Sequence, residues 1–261
     1  LFADDPVSGR RAVTGAALVT GAGRRVGAAI ATYLARRGYR VFLHVNRSRD
    51  EALALTQNLR AEGAQADVIA CDLTDLDAVF AMTKAVLDTG AQHYLVVNNA
   101  SWFGHDLPGA ANLTNLDASL NVHVRAPFAI MEAMATGRKG ARLDIVNVLD
   151  QKLGAPNPDY YSYTIGKHAL WGASRTWRTA QVDGVRVFGL WPGLLLTSDD
   201  LDEAAYNARR AANPLGRAID LADVMAAFDL VLDAPGLPGQ DLIVDAGESL
   251  KARRRDVAFD V

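Results

Sequence analysis

Seven short, almost wholly apolar runs separated by helical patterns leave this chain few ways to fold. The runs fall at residues 16–20, 40–45, 66–70, 94–97, 143–149, 185–191 and 241–244. Between them lie helical stretches, among them 50–62, 75–89, 116–135, 160–180 and 221–233. A strand exposed on one face alternates apolar and polar residues, whereas one covered on both faces reads as continuous apolar sequence. Alternation of such strands with helices predicts a doubly wound α/β fold, a parallel sheet of about seven strands with helices on both faces. The 261 residues would allow two domains, but no Pro/Gly/Ser-rich linker or charge run divides them. A single domain over residues 14–250 is expected. It is flanked by a flexible arm at 1–13 and a C-terminal tail at 251–261, with a substrate loop at about 194–212.

Composition excludes several function classes. Net charge is −3 and the basic residues are dispersed, which argues against nucleic acid as the partner. The one basic cluster, Arg253, Arg254 and Arg255, reads as a solvated tail. Cys71 is the only cysteine, so no intramolecular disulfide or cysteine-based zinc site can form, and a small core filler is the simplest reading. His44, His93, His105 and His168 share no metal-ligand spacing and read as ordinary residues, so no metal is expected. No apolar run has transmembrane length and no signal-peptide pattern opens the chain, so no membrane partner and a cytoplasmic location are expected.

The first run is followed by Gly21, Gly23 and Gly27 in GAGRRVG, and then by a helix. A tight turn uses glycine's backbone freedom, and a helix N-terminus offers free N–H groups and a positive dipole to a pyrophosphate. This context makes the fold Rossmann-type. Sites that prefer NAD place an acidic residue at the end of the second strand, to hold the ribose hydroxyls. Here Arg47 and Ser48 stand there instead, which suits a 2′-phosphate and favours NADPH. Ligands in such sheets bind beyond the strands' carboxyl ends, and Gly21, Arg47, Asp72, Asn99, Asp150 and Gly193 all lie just past strand ends.

A second constellation carries the acid–base chemistry. Tyr163 and Lys167 are four apart in a helical stretch and share one face. A fixed cation stabilises a phenolate, so Lys167 is expected to lower the pKa of Tyr163 and make it a better general acid. Asp150 lies thirteen residues before Tyr163, directly after an apolar strand.

With TGAGRRVG, CDL, NNAS, YTIGK and WPG occurring in that order, the chain resembles the short-chain dehydrogenase/reductase family over about residues 14–250. The resemblance implies an NADP-dependent oxidoreductase in which Tyr163 is the acid and Lys167 also holds the nicotinamide ribose. It places the cofactor against Gly21, Gly23, Arg24, Arg25, Val26, Arg47, Ser48, Asp72, Leu73, Asn99, Ala100, Ser101, Pro192 and Gly193, with Asp72 at the adenine. Two departures narrow the match: Asp150 stands where the family usually has serine, and Arg25 where the glycine turn usually has glycine. Both resemble the pteridine reductase branch, as do HVNRS and the Trp102-Phe103 pair after NNAS. That likeness implies that Phe103 stacks on a planar substrate, with Arg25, Ser101, Asp150 and Tyr163 as further substrate contacts. His123 replaces the family's usual relay asparagine, as in dihydromonapterin reductases; it either substitutes in the relay or simply packs inside its helix.

The expected function is reduction of a dihydropterin-like small molecule by NADPH, with Tyr163 as proton donor. The alternatives are a carbonyl or alcohol oxidoreductase of the same family, such as a 3-oxoacyl reductase or sugar dehydrogenase, and a catalytically silent NADPH sensor. A homotetramer is expected from the resemblance, built on the helices at 116–135 and 160–180. Leu170, Trp171, Ser174 and Trp177 form an apolar stripe on the second of these.

Overall fold

The computed structural model describes residues 15–195, 210–256 and 259. The expected N-terminal arm and most of the expected substrate loop lie outside the described residues. Seven strands form one parallel sheet: β1 (Gly15–Val19), β2 (Tyr39–Val45), β3 (Ala66–Ala70), β4 (His93–Asn98), β5 (Arg142–Val148), β6 (Val185–Pro192) and β7 (Asp241–Val244). Their order is β3-β2-β1-β4-β5-β6-β7, so the winding reverses between β1 and β4. The helices are α1 (Arg25–Arg36), α2 (Arg49–Ala61), α3 (Leu76–Leu87), α4 (Leu113–Leu120), α5 (Ala126–Gly137), α6 (Tyr161–Ala180) and α7 (Leu221–Asp233).

The apolar runs are continuous because the strands from β1 to β6 feed two cores. Ala17, Val19, Val41, Leu43, Leu95 and Val97 point to one face, where Ile30 and Leu34 of α1 and Phe228 and Val231 of α7 cover them. Ala16, Leu18, Phe42, Val96 and Ile145 point to the other, under Val79 and Met82 of α3 and Ile130 and Met131 of α5. The period of two along a strand separates the sets. Helix starts are fixed locally: the Asp75 carboxylate accepts from Asp77 and Ala78 N–H, and Asp220 closes a reciprocal box with Asp223.

The stretch at 116–135 is not one regular helix. A π-helical turn, Asn121–Arg125, joins α4 to α5. Pro127 has no N–H to give to the carbonyl of His123, so the regular ladder cannot run through this point.

The α6 stripe and the C-terminal arginines both take partners within the chain. Leu170 and Ser174 of the α6 stripe are buried in their own chain, and Trp177 packs on the core beside α5. Trp171 gives its indole N–H to Asp241 at 2.8 Å and meets Trp191 edge-on. Part of the stripe thus faces its own sheet, as expected, while Trp171 and Trp177 stay half-buried. Against expectation, not all the C-terminal arginines are solvated: Arg253 pairs with buried Glu248 at 2.6 Å, and Arg255 with buried Asp159 at 2.8 Å. Both carboxylates need partners once removed from water.

At the amino end of the sheet, buried Asp144 receives Arg186 at 2.7 and 2.9 Å, Arg142 at 2.8 Å and His93 at 2.8 Å. Burial alone would raise this carboxyl, but the hydrogen bonds and charges of His93 and Arg186 bring it down to about 2. Asp144→Asn is therefore expected to lower the unfolding free energy by about 3–5 kcal/mol at pH 7, by stranding buried cations. Urea titrations should show the deficit narrowing as pH falls from about 4 toward 2, where the wild-type carboxylate itself protonates.

Candidate active site

Both functional clusters sit past the carboxyl ends of the strands. The first occupies the crevice at the β1/β4 switch point. Thr20 ends β1 and donates its hydroxyl to Val97 O at 3.3 Å, while Asn99 and Ala100 N–H donate to Thr20 Oγ1 at 2.9 and 3.0 Å. Asn99 Nδ2 reaches back to Thr20 O at 2.8 Å and Gly21 O at 3.2 Å. Gly21 has φ +66, and a Cβ on Gly27 would fall 2.2 Å from Gly21 O. A Cβ on Gly23 would fall 2.2 Å from Ser48 Oγ, so the bare turn lets the end of β2 close over it.

A cleft of about 590 Å³ opens here. Of the residues predicted to hold the cofactor, Gly21, Arg24, Arg25, Val26, Arg47, Ser48, Asp72, Leu73, Asn99, Ala100 and Ser101 line it. Three arginines around a helix N-terminus, with bare glycine at the closest approach, fit a dinucleotide phosphate. Arg47 is exposed at the rim, and its charge helps hold the Asp72 carboxyl low, after the larger effect of the Thr74 hydrogen bonds. Pro192 and Gly193 are not among the lining residues. A Cβ on Gly193 would fall 2.9 Å from Asp245 Cα, so its bareness serves the approach of the two strand ends.

Arg25 is left-handed, with φ 55. This conformation favours glycine, and an arginine there is held against its own preference. The backbone that glycine would serve is thus retained while a guanidinium is added at the cleft.

The second cluster stands on β5 and α6. Asp150 caps a short 3₁₀ turn after β5; its Oδ1 accepts from Lys152 N–H at 2.8 Å. Its Oδ2 accepts from the Tyr163 hydroxyl at 2.5 Å, a short charge-assisted bond. Lys167, one helical turn on, donates from Nζ to Val148 O at 2.6 Å, and Nζ lies 5.6 Å from the Tyr163 ring centroid. Sequence reasoning has Lys167 lowering the tyrosine, and the structure reverses the direction. Burial, then the charge of Asp150 and its hydrogen bond, hold Tyr163 well above the usual phenol range. Burial also raises Asp150 and lowers Lys167 to about 8, the latter against the pull of Asp150. The phenol keeps its proton and presents it beside a carboxylate acceptor.

Phe103 reaches this cluster, not the cleft. It meets Tyr163 edge-on with ring centroids 4.8 Å apart, and stacks on Tyr160 at 4.0 Å. Ser101 joins the two clusters by pairing its hydroxyl with His123 Nε2 at 3.0 Å.

His123 packs inside its helix, yet it does more than fill space. Trp102 N–H donates to Nε2 at 3.2 Å, which makes that nitrogen the acceptor. Nδ1 then carries the proton toward Ser119 Oγ at 3.1 Å, and Ser119 donates on to Ser162 O at 2.7 Å. Burial, then the charge of Lys167, hold the imidazole well below its usual range, so it stays neutral. Asn121 Oδ1 accepts from Arg125 at 3.2 Å and takes no part in this chain.

Sequence reasoning missed Thr20 and His44. Buried His44 accepts Gly21 N–H on Nδ1 at 3.2 Å, and its Nε2 lies 3.2 Å from Cys71 O, bracing the turn against the end of β3. Its place at the end of β2, before Arg47, was the available signal.

A crevice that fits a dinucleotide, beside a buried tyrosine and lysine and a half-buried carboxylate, defines a nucleotide-dependent oxidoreductase of Rossmann architecture. The chain belongs to the short chain dehydrogenase family, which it matches over residues 15–205. It is 29% identical to pteridine reductase 1 of Leishmania tarentolae, over 90% of this chain and 96% of that protein. It is 27% identical to the 3-oxoacyl-[acyl-carrier-protein] reductase FabG of Staphylococcus aureus, over 90% and 98%. Among solved structures, FolM alternative dihydrofolate reductase 1 from Brucella suis, in complex with NADP, superposes with a TM-score of 0.87 at 32% identity, over 94% of this chain and 99% of that one. No described helix is long and apolar enough to cross a membrane.

Lys167 yields a pH signature. Its folded-state value near 8 lies below its ordinary 10.5, so the unfolded chain binds more protons between the two. Stability should rise with pH in that window, by roughly 2–3 kcal/mol between pH 8 and 10. Above pH 10 the raised phenol of Tyr163 acts oppositely. Denaturant titrations of wild type should show the rise, and Lys167→Met should flatten it.

Proposed function

We propose that the protein is an NADPH-dependent reductase of dihydropterin-like substrates. The observation that carries this reading is the Asp150 carboxylate bonded at 2.5 Å to the Tyr163 hydroxyl. A carboxylate beside the proton donor accepts hydrogen bonds from the ring N–H and amino edge of a pterin, which a serine hydroxyl does less well. The 29% identity to a pteridine reductase and the NADP-bound relative at 32% support it.

When bound, the reduced nicotinamide supplies the hydride. Arg24, Arg25 and the first turn of α1 would hold the pyrophosphate, and Arg47 with Ser48 would hold the 2′-phosphate. Tyr163 delivers the proton to the reduced C=N bond, directly or through water. Lys167 offsets the charge of Asp150 and reaches for the nicotinamide ribose. Asp150 orients the substrate edge, and Arg25 and Ser101 close its polar rim. Phe103, exposed and stacked on Tyr160, provides an aromatic wall. We further propose a cytoplasmic homo-oligomer, with any contact through α4 to α6 using residues other than buried Leu170 and Ser174 of α6.

Asp150→Ser tests the substrate class. Loss of a hydrogen bond to a charged acceptor is worth about 1.5–3 kcal/mol, roughly tenfold to a hundredfold in turnover of a dihydropterin. Reduction of a simple ketone should be kept or improved, whereas Tyr163→Phe should depress both. Undiminished dihydropterin turnover by Asp150→Ser would favour the 3-oxoacyl or alcohol class instead. Cofactor choice is tested at Arg47: binding titrations should show wild type preferring NADPH, and Arg47→Asp losing or reversing that preference through repulsion of the 2′-phosphate. Equal wild-type affinity for NADH would refute the assignment.

A further inference from the structure

Asp159 lies one residue before Tyr160 and four before Tyr163, at the entry to α6. Its side chain is fully buried, a costly place for an unpaired carboxylate. Four donors reach it, and three come from the C-terminal segment. Arg255 makes a forked contact through Nε and Nη2, both at 2.8 Å, and Asp256 adds its backbone N–H at 2.7 Å. His105 contributes from Nε2 at 3.1 Å. An ionised carboxylate has about four acceptor sites, so the set is full.

The same segment grips the opposite side of the loop. Asp256 lies 3.3 Å from Lys152 Nζ, and Lys152 gives its backbone N–H to Asp150. Phe259 stacks on Tyr160 at 6.0 Å, and Tyr160 in turn stacks on Phe103, which touches Tyr163. Tyr160 is left-handed, with φ 54, a conformation that a residue bearing a Cβ keeps only when its surroundings hold it. The contacts named here join the segment to both members of the Asp150–Tyr163 pair, and none of these residues lines the dinucleotide cleft.

We infer that the C-terminal segment braces the reacting end of the site, with Arg255 and Asp159 as positioning residues that fix how Asp150 and Tyr163 face the substrate. The inference rests on the assignment of those two residues as the reacting groups. A forked guanidinium suits the role because it fixes direction as well as charge. Without it, the carboxylate keeps His105 and one amide, and water must take the place of the guanidinium, which is itself half-exposed. The loop loses its fixed tie, and Tyr160 and the first turn of α6 move with it.

The test uses the full chain carrying Arg255→Gln, Arg255→Lys or Asp159→Asn, with a chain ending at Lys251 as a fourth variant. For Arg255→Gln we expect the substrate KM to rise and kcat to fall, together about tenfold to a hundredfold in kcat/KM. The dissociation constant for NADPH should stay within about twofold, the span set by an interaction change well under 1 kcal/mol. Arg255→Lys should recover part of the loss, since an ammonium restores charge without the fork. Amide hydrogen exchange over residues 160–167, measured with no substrate present, should quicken in Arg255→Gln and Asp159→Asn. Wild-type kcat/KM in Arg255→Gln, an equal loss of NADPH affinity, or unchanged exchange would each overturn the brace. If the wild-type enzyme reduces ketones but no dihydropterin, the substrate assignment fails while the brace is read on the ketone, because Tyr163 serves either reaction.

Discussion

The Thr20 hydroxyl is the joint on which the cofactor half of the molecule depends. At the switch point two parallel strands end side by side and their chains turn to opposite faces of the sheet, leaving backbone groups without ladder partners. One hydroxyl accepts from Asn99 and Ala100 N–H and adds a further donor to Val97 O, which also takes the Thr20 backbone N–H. The Asn99 amide answers two more, Thr20 O and Gly21 O. The crevice therefore keeps its shape through side-chain bonds made within the site itself. His44 extends the joint to β3, and the glycines let the backbones meet without a Cβ between them.

The reacting half depends on a different balance. Asp150, Tyr163 and Lys167 are brought together where water is scarce, and burial shifts each toward its neutral form. The pair interactions oppose this for Asp150 and Lys167 and reinforce it for Tyr163. The outcome is a phenol that holds its proton firmly until something reacts beside it. A serine in place of Asp150 would remove the adjacent negative charge from Tyr163 but leave its burial, the largest cause of the upward shift, in place.

Most of the architecture was legible because burial writes a local pattern. Strands covered on both faces gave unbroken apolar runs, and the helical stretches read at 50–62 and 221–233 fall on α2 and α7 to within a residue. The cleft residues were legible for the same reason, since they follow strand ends directly. What escaped was made by contacts distant in sequence. The π-turn leaves only Pro127 as a trace, and the hydrogen-bond chain from Trp102 through His123 and Ser119 to Ser162 spans sixty residues with no periodicity. The docking of Arg255 on Asp159 joins positions 96 apart. A run of arginines near a terminus looks solvated until the buried carboxylate that receives one of them is known.

The division between core and site explains how this fold carries different reductions. Arg25, Phe103 and Asp150 belong to neither of the two large apolar clusters flanking the sheet, and all three stand in turns or at element ends beyond the strands. Exchanging them alters charge, hydrogen bonding and the aromatic wall with little change in the area removed from water, so the cost to folding is local. Arg25 shows the size of that local cost, a left-handed backbone held by its surroundings for about 1–3 kcal/mol. Such a cost is tolerable because the sheet and the described helices stabilise the turn independently. The chemistry is therefore set by a few residues at the strand ends, while the seven buried strands specify only that such ends will converge.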